Sequence, residues 1–345
     1  MRKIRVLVVD DSIIYRDLFT RGLSSDPAIE VVASAANVYD ARDKIIQYRP
    51  DVMTLDVEMP RMDGIEFLRQ LMPQYPMPVI MVSSKNQTVF DALAAGAVDF
   101  VNKPVSGNIN DIERFVTNEL AAKVKIAVSA RLSVRRQVQP EQNRLTYYAK
   151  DYKDKVIAVG ASTGGTEAIA SVIKNFGTDI PGVVIVQHMP PGFTKMYAER
   201  LDRECAVSVS EAKTGDAVLP GKVLIAPGDA HMQLIRTGTG YTVECKTGEK
   251  VSGHCPSVDV LFNSVARNAG KDAIGVLLTG MGADGARGLL AMKNAGAQTI
   301  GQDESTCVVY GMPKVAFDIG AVKYQLKLDD IAAKVYYILN SGTKK

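Results

Sequence analysis

The 345-residue chain has no tryptophan, only three histidines and only four cysteines. Cys205, Cys245, Cys255 and Cys307 form no C-x-x-C pair, and Cys245, His254 and Cys255 lack a fourth ligand at usable spacing. Zinc is therefore disfavoured, and the thiols read as ordinary buried groups. No stretch reaches the roughly 18 apolar residues of a membrane span. The opening MRKIRVLVVDDS passes straight into a strand pattern without a charged-then-apolar leader, so a cytoplasmic protein with no membrane insertion is expected. Nor does one sign of charge dominate. The net charge of +3 comes from a basic stretch, since residues 121–150 hold seven Lys/Arg against one acidic residue and the remainder holds 34 basic against 37 acidic. A basic face for nucleic acid is disfavoured, and the positive charge belongs to a connector.

What is present suits two domains of ordinary size, with 46% apolar residues to build their cores. Over residues 1–120, short apolar runs alternate with segments of helical period: IRVLVV then YRDLFTRGL, IEVVASAA then YDARDKIIQY, DVMTLDV then IEFLRQLM, PVIMVSS then VFDALAAG, and VDFVNKP then a helix from about residue 111. Such β-α alternation implies a parallel sheet covered on both faces, with its ligand site at the carboxyl ends of the strands. At those ends stand Asp10 and Asp11, Asp56, Ser83, and Lys103 followed by Pro104. Converging carboxylates repel unless a cation joins them, and Mg²⁺ with retained waters suits an all-oxygen cluster. The pattern favours phosphoryl transfer to Asp56, with Asp10, Asp11 and Asp56 around the metal and Ser83 and Lys103 on the phosphoryl oxygens. The alternative is a set of solvated strand-end residues such as any α/β protein carries.

With Val-Val-Asp-Asp-Ser, the loop Asp56-Val-Glu-Met-Pro-Arg-Met-Asp-Gly64 and the Lys103-Pro104 pair, this part resembles the response-regulator receiver domain, a flavodoxin-like five-stranded fold. The resemblance implies phosphorylation of Asp56 by a histidine kinase, with Ser83, Phe100 and Lys103 responding to it. The receiver is assigned to residues 1–122 and a basic linker to 123–152, where polar and basic residues and Pro140 break any sustained period.

From residue 153 a second α/β domain extends to 345. Its segment VIAVGASTGGT pairs a buried strand pattern with the start of an amphipathic helix, and Ser162 lies on the turn between them. Gly160-Ala161-Ser162-Thr163-Gly164 fits the G-x-S-x-G nucleophile elbow, and the following helix N-terminus can stabilise a developing oxyanion. A glycine-rich phosphate loop or a plain structural turn are the alternatives, although neither G-x-x-x-x-G-K-[ST] nor G-x-G-x-x-G is present. Two further strand patterns, 183–186 and 273–278, run into His188 and into the loop carrying Asp284, whereas His231 and His254 fall in loop-rich stretches. Ser162, His188 and Asp284 supply nucleophile, general base and orienting acid for acyl transfer. Their order differs from the Ser-Asp-His of α/β-hydrolases, so the elbow does not place the domain in that fold.

Gly160-Ala-Ser162-Thr-Gly-Gly165, Gln187-His188-Met-Pro190, Ala226-Pro-Gly-Asp229-Ala-His-Met232, Pro256-Ser-Val-Asp259, Thr279-Gly-Met281-Gly-Ala-Asp284-Gly285 and Val309-Tyr-Gly-Met-Pro313 extend the likeness. Over both domains and their order, the chain resembles the protein-glutamate methylesterases/protein-glutamine glutaminases of bacterial chemotaxis. The resemblance implies a receiver joined to a Rossmann-like methylesterase domain. It implies removal of γ-methyl esters from chemoreceptor glutamates with release of methanol, deamidation of receptor glutamines, and activation by phosphorylation. It places Thr163 and Met281 near the oxyanion site. Mg²⁺ is expected for receiver phosphorylation and no cofactor for ester hydrolysis. Two rival functions remain open: a response regulator whose second domain only binds a protein, and a transcriptional regulator. The second should carry a basic helix-turn-helix, which the acidic second domain with its parallel-strand pattern argues against.

Overall fold

In the computed structural model, residues 2–84, 88–104, 109–130, 154–238 and 240–341 are described. They fall into two separate units, divided between residues 136 and 137. In the first, β1 (Ile4–Val9), β2 (Ile29–Ala35), β3 (Val52–Asp56), β4 (Val79–Ser83) and β5 (Asp99–Asn102) form a parallel sheet in the order β2-β1-β3-β4-β5. That is the flavodoxin-like order, with its switch point between β1 and β3. β3 and β4 are buried along their whole length, as strands covered on both faces must be. The helices are α1 (Ile13–Ser24), α2 (Val38–Tyr48), α3 (Gly64–Leu71), α4 (Val89–Ala94), α5 (Ile109–Phe115) and α6 (Ala121–Ala127). Asn37 and Asp63 cap α2 and α3 by accepting first-turn N–H groups.

A π-helical turn at Val116–Leu120 joins α5 to α6, so the helix passes beyond residue 122 to Ala127. Residues 123–127, which composition assigns to the linker, thus extend the receiver's last helix. Ala121, Val124 and Ala127 are buried. Lys123 and Lys125 pair with Asp99 and Asp26, each at 2.7 Å. Basic residues here line the outer face of an amphipathic helix, which net charge alone cannot distinguish from a linker. The rest of the expected linker, 131–152, lies outside the described residues.

The second unit is built on a seven-stranded parallel sheet in the order β15-β14-β13-β6-β7-β10-β8. Its strands are β6 (Val156–Ala161), β7 (Gly182–Gln187), β8 (Ser208–Glu211), β10 (Lys222–Ile225), β13 (Ala273–Leu277), β14 (Gln298–Gln302) and β15 (Tyr324–Leu326). α7 (Gly165–Ile173), α8 (Phe193–Glu204), α9 (Val258–Asn268), α10 (Ala286–Asn294), α11 (Met312–Asp318) and α12 (Leu328–Ser341) accompany them. This is the doubly wound Rossmann-like architecture expected.

A second, antiparallel sheet, β11-β12-β9, was not foreseen. It is made of β9 (Ala217–Val218), β11 (Ala230–Thr237) and β12 (Gly240–Thr247). Met232, Leu234, Tyr241 and Val243 point from it into the core, and α9 packs against β11. His231 therefore sits on a strand, not in a loop. The segment AHMQLIRT alternates apolar and polar residues, as a strand with one wet face does, and so lacks the continuous apolar run by which the parallel strands stand out.

Candidate active site

β6 leads to β7, β8 and β10 on one side of the sheet, and the chain returns on the other with β13, β14 and β15, so the topological switch point lies between β6 and β13. Open α/β sheets bind ligands there, beyond the carboxyl ends of the strands. Ser162 is the first residue after β6, His188 the first after β7, and Asp284 lies between β13 and α10. Only residues 162–164 separate β6 from α7. Gly164 makes this tight turn at φ 74°, a conformation disfavoured for residues with a Cβ, and the Gly165 N–H donates to Ser162 O at 2.7 Å. Ser162 is left half-buried at the rim while Thr163 turns inward.

Asp284 is almost wholly buried and collects four hydrogen bonds. His188 Nε2 lies 2.8 Å from Oδ2, which also accepts the Val258 N–H at 2.7 Å. Oδ1 accepts from Ser257 Oγ at 2.8 Å and from the Asp259 N–H at 3.0 Å. Burial pushes the carboxyl pKa up, but the His188 contact and the hydrogen bonds from Asp259 and Ser257 together outweigh it and hold the pKa below its ordinary value. An ionised carboxylate only accepts hydrogen bonds, so the proton between the two side chains sits on His188 Nε2. In the neutral imidazole Nδ1 then carries the lone pair, and it is buried with no hydrogen-bond partner among the described residues.

The backbones of Ser162 and His188 are tied together. The His188 N–H donates to Ala161 O at 3.1 Å, and Gln187 Nε2 donates to both Ser162 O at 2.9 Å and His188 O at 3.2 Å. Gln187 Oε1 rests against Gly165, where an added Cβ would stand 2.2 Å from it and 2.6 Å from Ala161 Cβ. Gly165→Ala is expected to cost about 1–3 kcal/mol by overpacking, despite the roughly 1 kcal/mol by which Ala is favoured over Gly within a helix. Because the side chain it displaces is the one bridging Ser162 and His188, turnover should fall along with stability. Urea unfolding and initial hydrolysis rates of the variant check both.

On the far side, the Ser162 N–H donates to Thr279 O at 3.0 Å. Gly280 passes so close that a Cβ there would lie 2.7 Å from Ser162 Cβ, and Met281, the next residue, is 45% exposed. Thr279 Oγ1 donates to Thr163 O at 3.0 Å and accepts the Val309 N–H at 2.9 Å, securing the turn from behind. Residues without an assigned role in the sequence reading thus support the site: Gln187, Ser257 and Thr279, and also His254, whose ring stacks on that of His188 with centroids 3.7 Å apart. Ser257 had a local signal, since serine directly before the apolar-periodic VDVLFNSV is an N-cap pattern, and its side chain does accept from Val260 N. Gln187 and Thr279 begin the motifs Gln187-His188-Met-Pro190 and Thr279-Gly-Met281-Gly-Ala-Asp284-Gly285, but nothing local reveals their partners.

In the receiver unit, Lys103 Nζ lies 2.7 Å from Asp10 Oδ2 and 2.6 Å from Asp56 Oδ2. Asp10, Asp11 and Asp56 each bring a carboxylate oxygen within 4.8 Å of the others. Burial pushes Asp10 up to about 6 against the pull of Lys103, and it also raises Asp56. Two buried carboxylates and an exposed one, Asp11, clustered in this way fit a hard divalent cation that keeps some of its waters. Ser83 and Phe100 are both buried.

A serine at a strand–turn–helix elbow and, at the next strand end, a histidine held by a buried carboxylate are an arrangement suited to a hydrolase of the doubly wound α/β class, on a chain whose first unit has the receiver's strand order. Residues 157–335 match the model of the CheB methylesterase family, and residues 6–113 match that of the response regulator receiver domain. The chain is 58% identical over 342 residues to a protein of Syntrophomonas wolfei named protein-glutamate methylesterase/protein-glutamine glutaminase 2, covering 99% of each. It is 47% identical over 348 residues to the Salmonella typhimurium protein named protein-glutamate methylesterase/protein-glutamine glutaminase, again covering 99% of each. The crystal structure of the Thermotoga maritima CheB methylesterase catalytic domain is similar at 38% identity and a TM-score of 0.52, over 53% of this chain and 98% of that one. The chain belongs to the CheB methylesterase family.

Proposed function

We propose that this chain removes methyl groups from glutamate γ-methyl esters of chemoreceptors, releasing methanol, and deamidates receptor glutamines, under control of phosphorylation at Asp56. The observation that carries the hydrolytic assignment is the His188–Asp284 pair. It fixes the proton on Nε2 and leaves Nδ1 without a hydrogen-bond partner among the described residues, on a residue whose backbone Gln187 ties to that of Ser162. In this reading Ser162 Oγ attacks the ester carbonyl carbon as its proton passes to His188 Nδ1, and the imidazolium is stabilised by Asp284. Negative charge on the carbonyl oxygen is met by backbone N–H groups of Thr163 and Met281, on the two segments flanking Ser162. Collapse of the tetrahedral intermediate breaks the bond to the methoxy oxygen, which takes the proton from Nδ1 and leaves as methanol. Water then gives a proton to Nδ1 as it attacks the acyl carbon, and collapse of this second tetrahedral intermediate breaks the bond to Ser162 Oγ, which takes the proton back from Nδ1 and leaves glutamate and free Ser162. A glutamine follows the same route with ammonia as leaving group.

Asp10, Asp11 and Asp56 would hold Mg²⁺ in the receiver, where the ion supplies neutralisation of phosphoryl charge. Lys103, already within contact of Asp10 and Asp56, is placed to pair with a phosphoryl group on Asp56. A histidine kinase of the chemotaxis system is the proposed phosphodonor.

The assay is initial methanol release from methylated receptor membranes by the full chain, with and without a small phosphodonor. Wild type should release methanol and be stimulated by the phosphodonor. Asp56→Asn should keep the unstimulated rate and lose the stimulation, because the acceptor oxygen is gone while the hydrolytic groups are untouched. Absence of release from wild type under both conditions overturns the enzymatic reading; stimulation that survives in Asp56→Asn removes Asp56 from the control.

A further inference from the structure

One short segment builds two sides of the hydrolytic site at once. Val251 and His254 close a two-residue hairpin through mutual N–H to O bonds of 3.0 Å, with Ser252 at φ 54° and Gly253 at φ 85°. Positive φ at both central residues is the signature of the tight type I′ turn, so the backbone of His254 is firmly held. Three residues on, Ser257 begins the N-terminus of α9, whose Ser257 Oγ and whose Val258 and Asp259 N–H groups all donate to Asp284. His231 secures the same segment, its Nδ1 accepting the Ser257 N–H at 3.2 Å and its Nε2 lying 2.8 Å from Glu249 O. The His254 ring is thereby laid flat on His188, with centroids 3.7 Å apart and planes 10° from parallel.

His188 needs such a support. Among the described residues its side chain makes one hydrogen bond, from Nε2 to Asp284, while Nδ1 is buried without a partner. An imidazole held at one corner can still rock about its bond to Cβ, and that motion swings Nδ1 through an arc. A proton donor or acceptor has to be in hydrogen-bond reach with the right orientation at the moment of transfer. A second ring lying flat against the first resists the rocking without competing for Nδ1.

We propose that His254 is a positioning residue for the hydrolysis: its ring face, stacked on His188, sets the imidazole plane that aims Nδ1 at Ser162. The proposal rests on the reading of His188 as the base. What matters in it is a flat ring, not an imidazole proton. The test therefore compares His254→Phe, which keeps the face, with His254→Ala and His254→Leu, the last of which fills space without one.

In the full chain, His254→Ala and His254→Leu should lower kcat by about 10- to 100-fold, the scale on which small misplacement of a reacting group is felt, with KM within about twofold of wild type. His254→Phe should recover kcat to within about threefold. The rate at which a serine-directed fluorophosphonate labels Ser162 should rank the four proteins in the same order, with no receptor needed. Either of two results overturns the proposal: His254→Leu equal to wild type, or His254→Phe no better than His254→Leu with both folded by circular dichroism. If wild type labels at Ser162 but releases no methanol, the substrate assignment fails while the labelling series still decides the role of His254. If wild-type Ser162 is not labelled at all, the base assignment and the role of His254 fall together.

Discussion

Ser162→Ala should abolish methanol release, with a loss on the scale of 10⁶-fold in kcat seen when a serine hydrolase loses its nucleophile, while leaving the fold unchanged. Both halves of that expectation come from the geometry. The hydroxyl is the only atom removed, and the turn is held by other groups: the Ser162 N–H on Thr279 O, and Ser162 O accepting from both Gly165 N and Gln187 Nε2. Gly164 at φ 74° closes the turn whatever side chain residue 162 carries. A thermal midpoint equal to wild type together with background hydrolysis is therefore the predicted pair. Residual rate enhancement of roughly 10³ to 10⁴ over water can persist from the oxyanion donors and from substrate binding, so the baseline must be a no-enzyme control. Turnover by Ser162→Ala within about threefold of wild type would remove Ser162 as the nucleophile.

The groups that the sequence placed well are those whose signal is local. Asp10, Asp56, Ser162 and His188 each stand at or just beyond the end of a mostly apolar strand, because a strand buried on both faces is largely apolar and polar residues gather at its end. Asp284 stands a few residues further on, in the crossover before α10, and was legible by the same logic. Strand order within the second sheet was not written so plainly. Nothing in the runs themselves says that β13 lies beside β6 and not beyond β10, yet that adjacency brings Asp284 to His188 across 96 residues of chain.

The supporting groups were hidden for the same reason. Gln187 looks like the last residue of a strand until its amide is seen bridging two carbonyls, one of them 25 residues back in sequence. His254 looks like a loop histidine because its hairpin is only two residues wide and has no apolar approach. The antiparallel sheet was missed through its half-wet strands, and with it the position of His231. In the receiver, the apolar spacing of Phe115, Val116, Leu120 and Val124 carries the last helix past Glu119, and the lysines that turn outward to Asp99 and Asp26 obscure only where the linker begins.

Asp284→Asn should cut kcat by up to about 10⁴-fold, and unlike Ser162→Ala it should also lower stability. Four donors converge on the carboxylate, two on each oxygen, and an amide offers one acceptor oxygen and one donor in their place. If the Asn nitrogen takes the Oδ2 position it faces the Val258 N–H and His188 Nε2. His188 can escape that clash only by moving its proton to Nδ1, which removes the base from the side of Ser162. If the nitrogen takes the Oδ1 position it faces the Asp259 N–H, and the Ser257 hydroxyl can turn to accept from it. The tautomer then survives, but no charge remains to stabilise the imidazolium. Loss of about 100-fold is the lower bound, that of a general base deprived of its support. Either orientation leaves a buried N–H of the first turn of α9 facing another donor, at a cost of about 1–3 kcal/mol. The pH dependence follows from the direction of the shift. Since the folded-state pKa of Asp284 lies below its ordinary value of 3.8, its contribution to stability is present above 3.8 and is lost as the pH falls through the lower folded value. Denaturant midpoints of wild type and Asp284→Asn should therefore differ near neutral pH and draw together in strong acid. Hydrolysis by Asp284→Asn within about threefold of wild type would remove the carboxylate from the catalytic group, whatever the midpoints show.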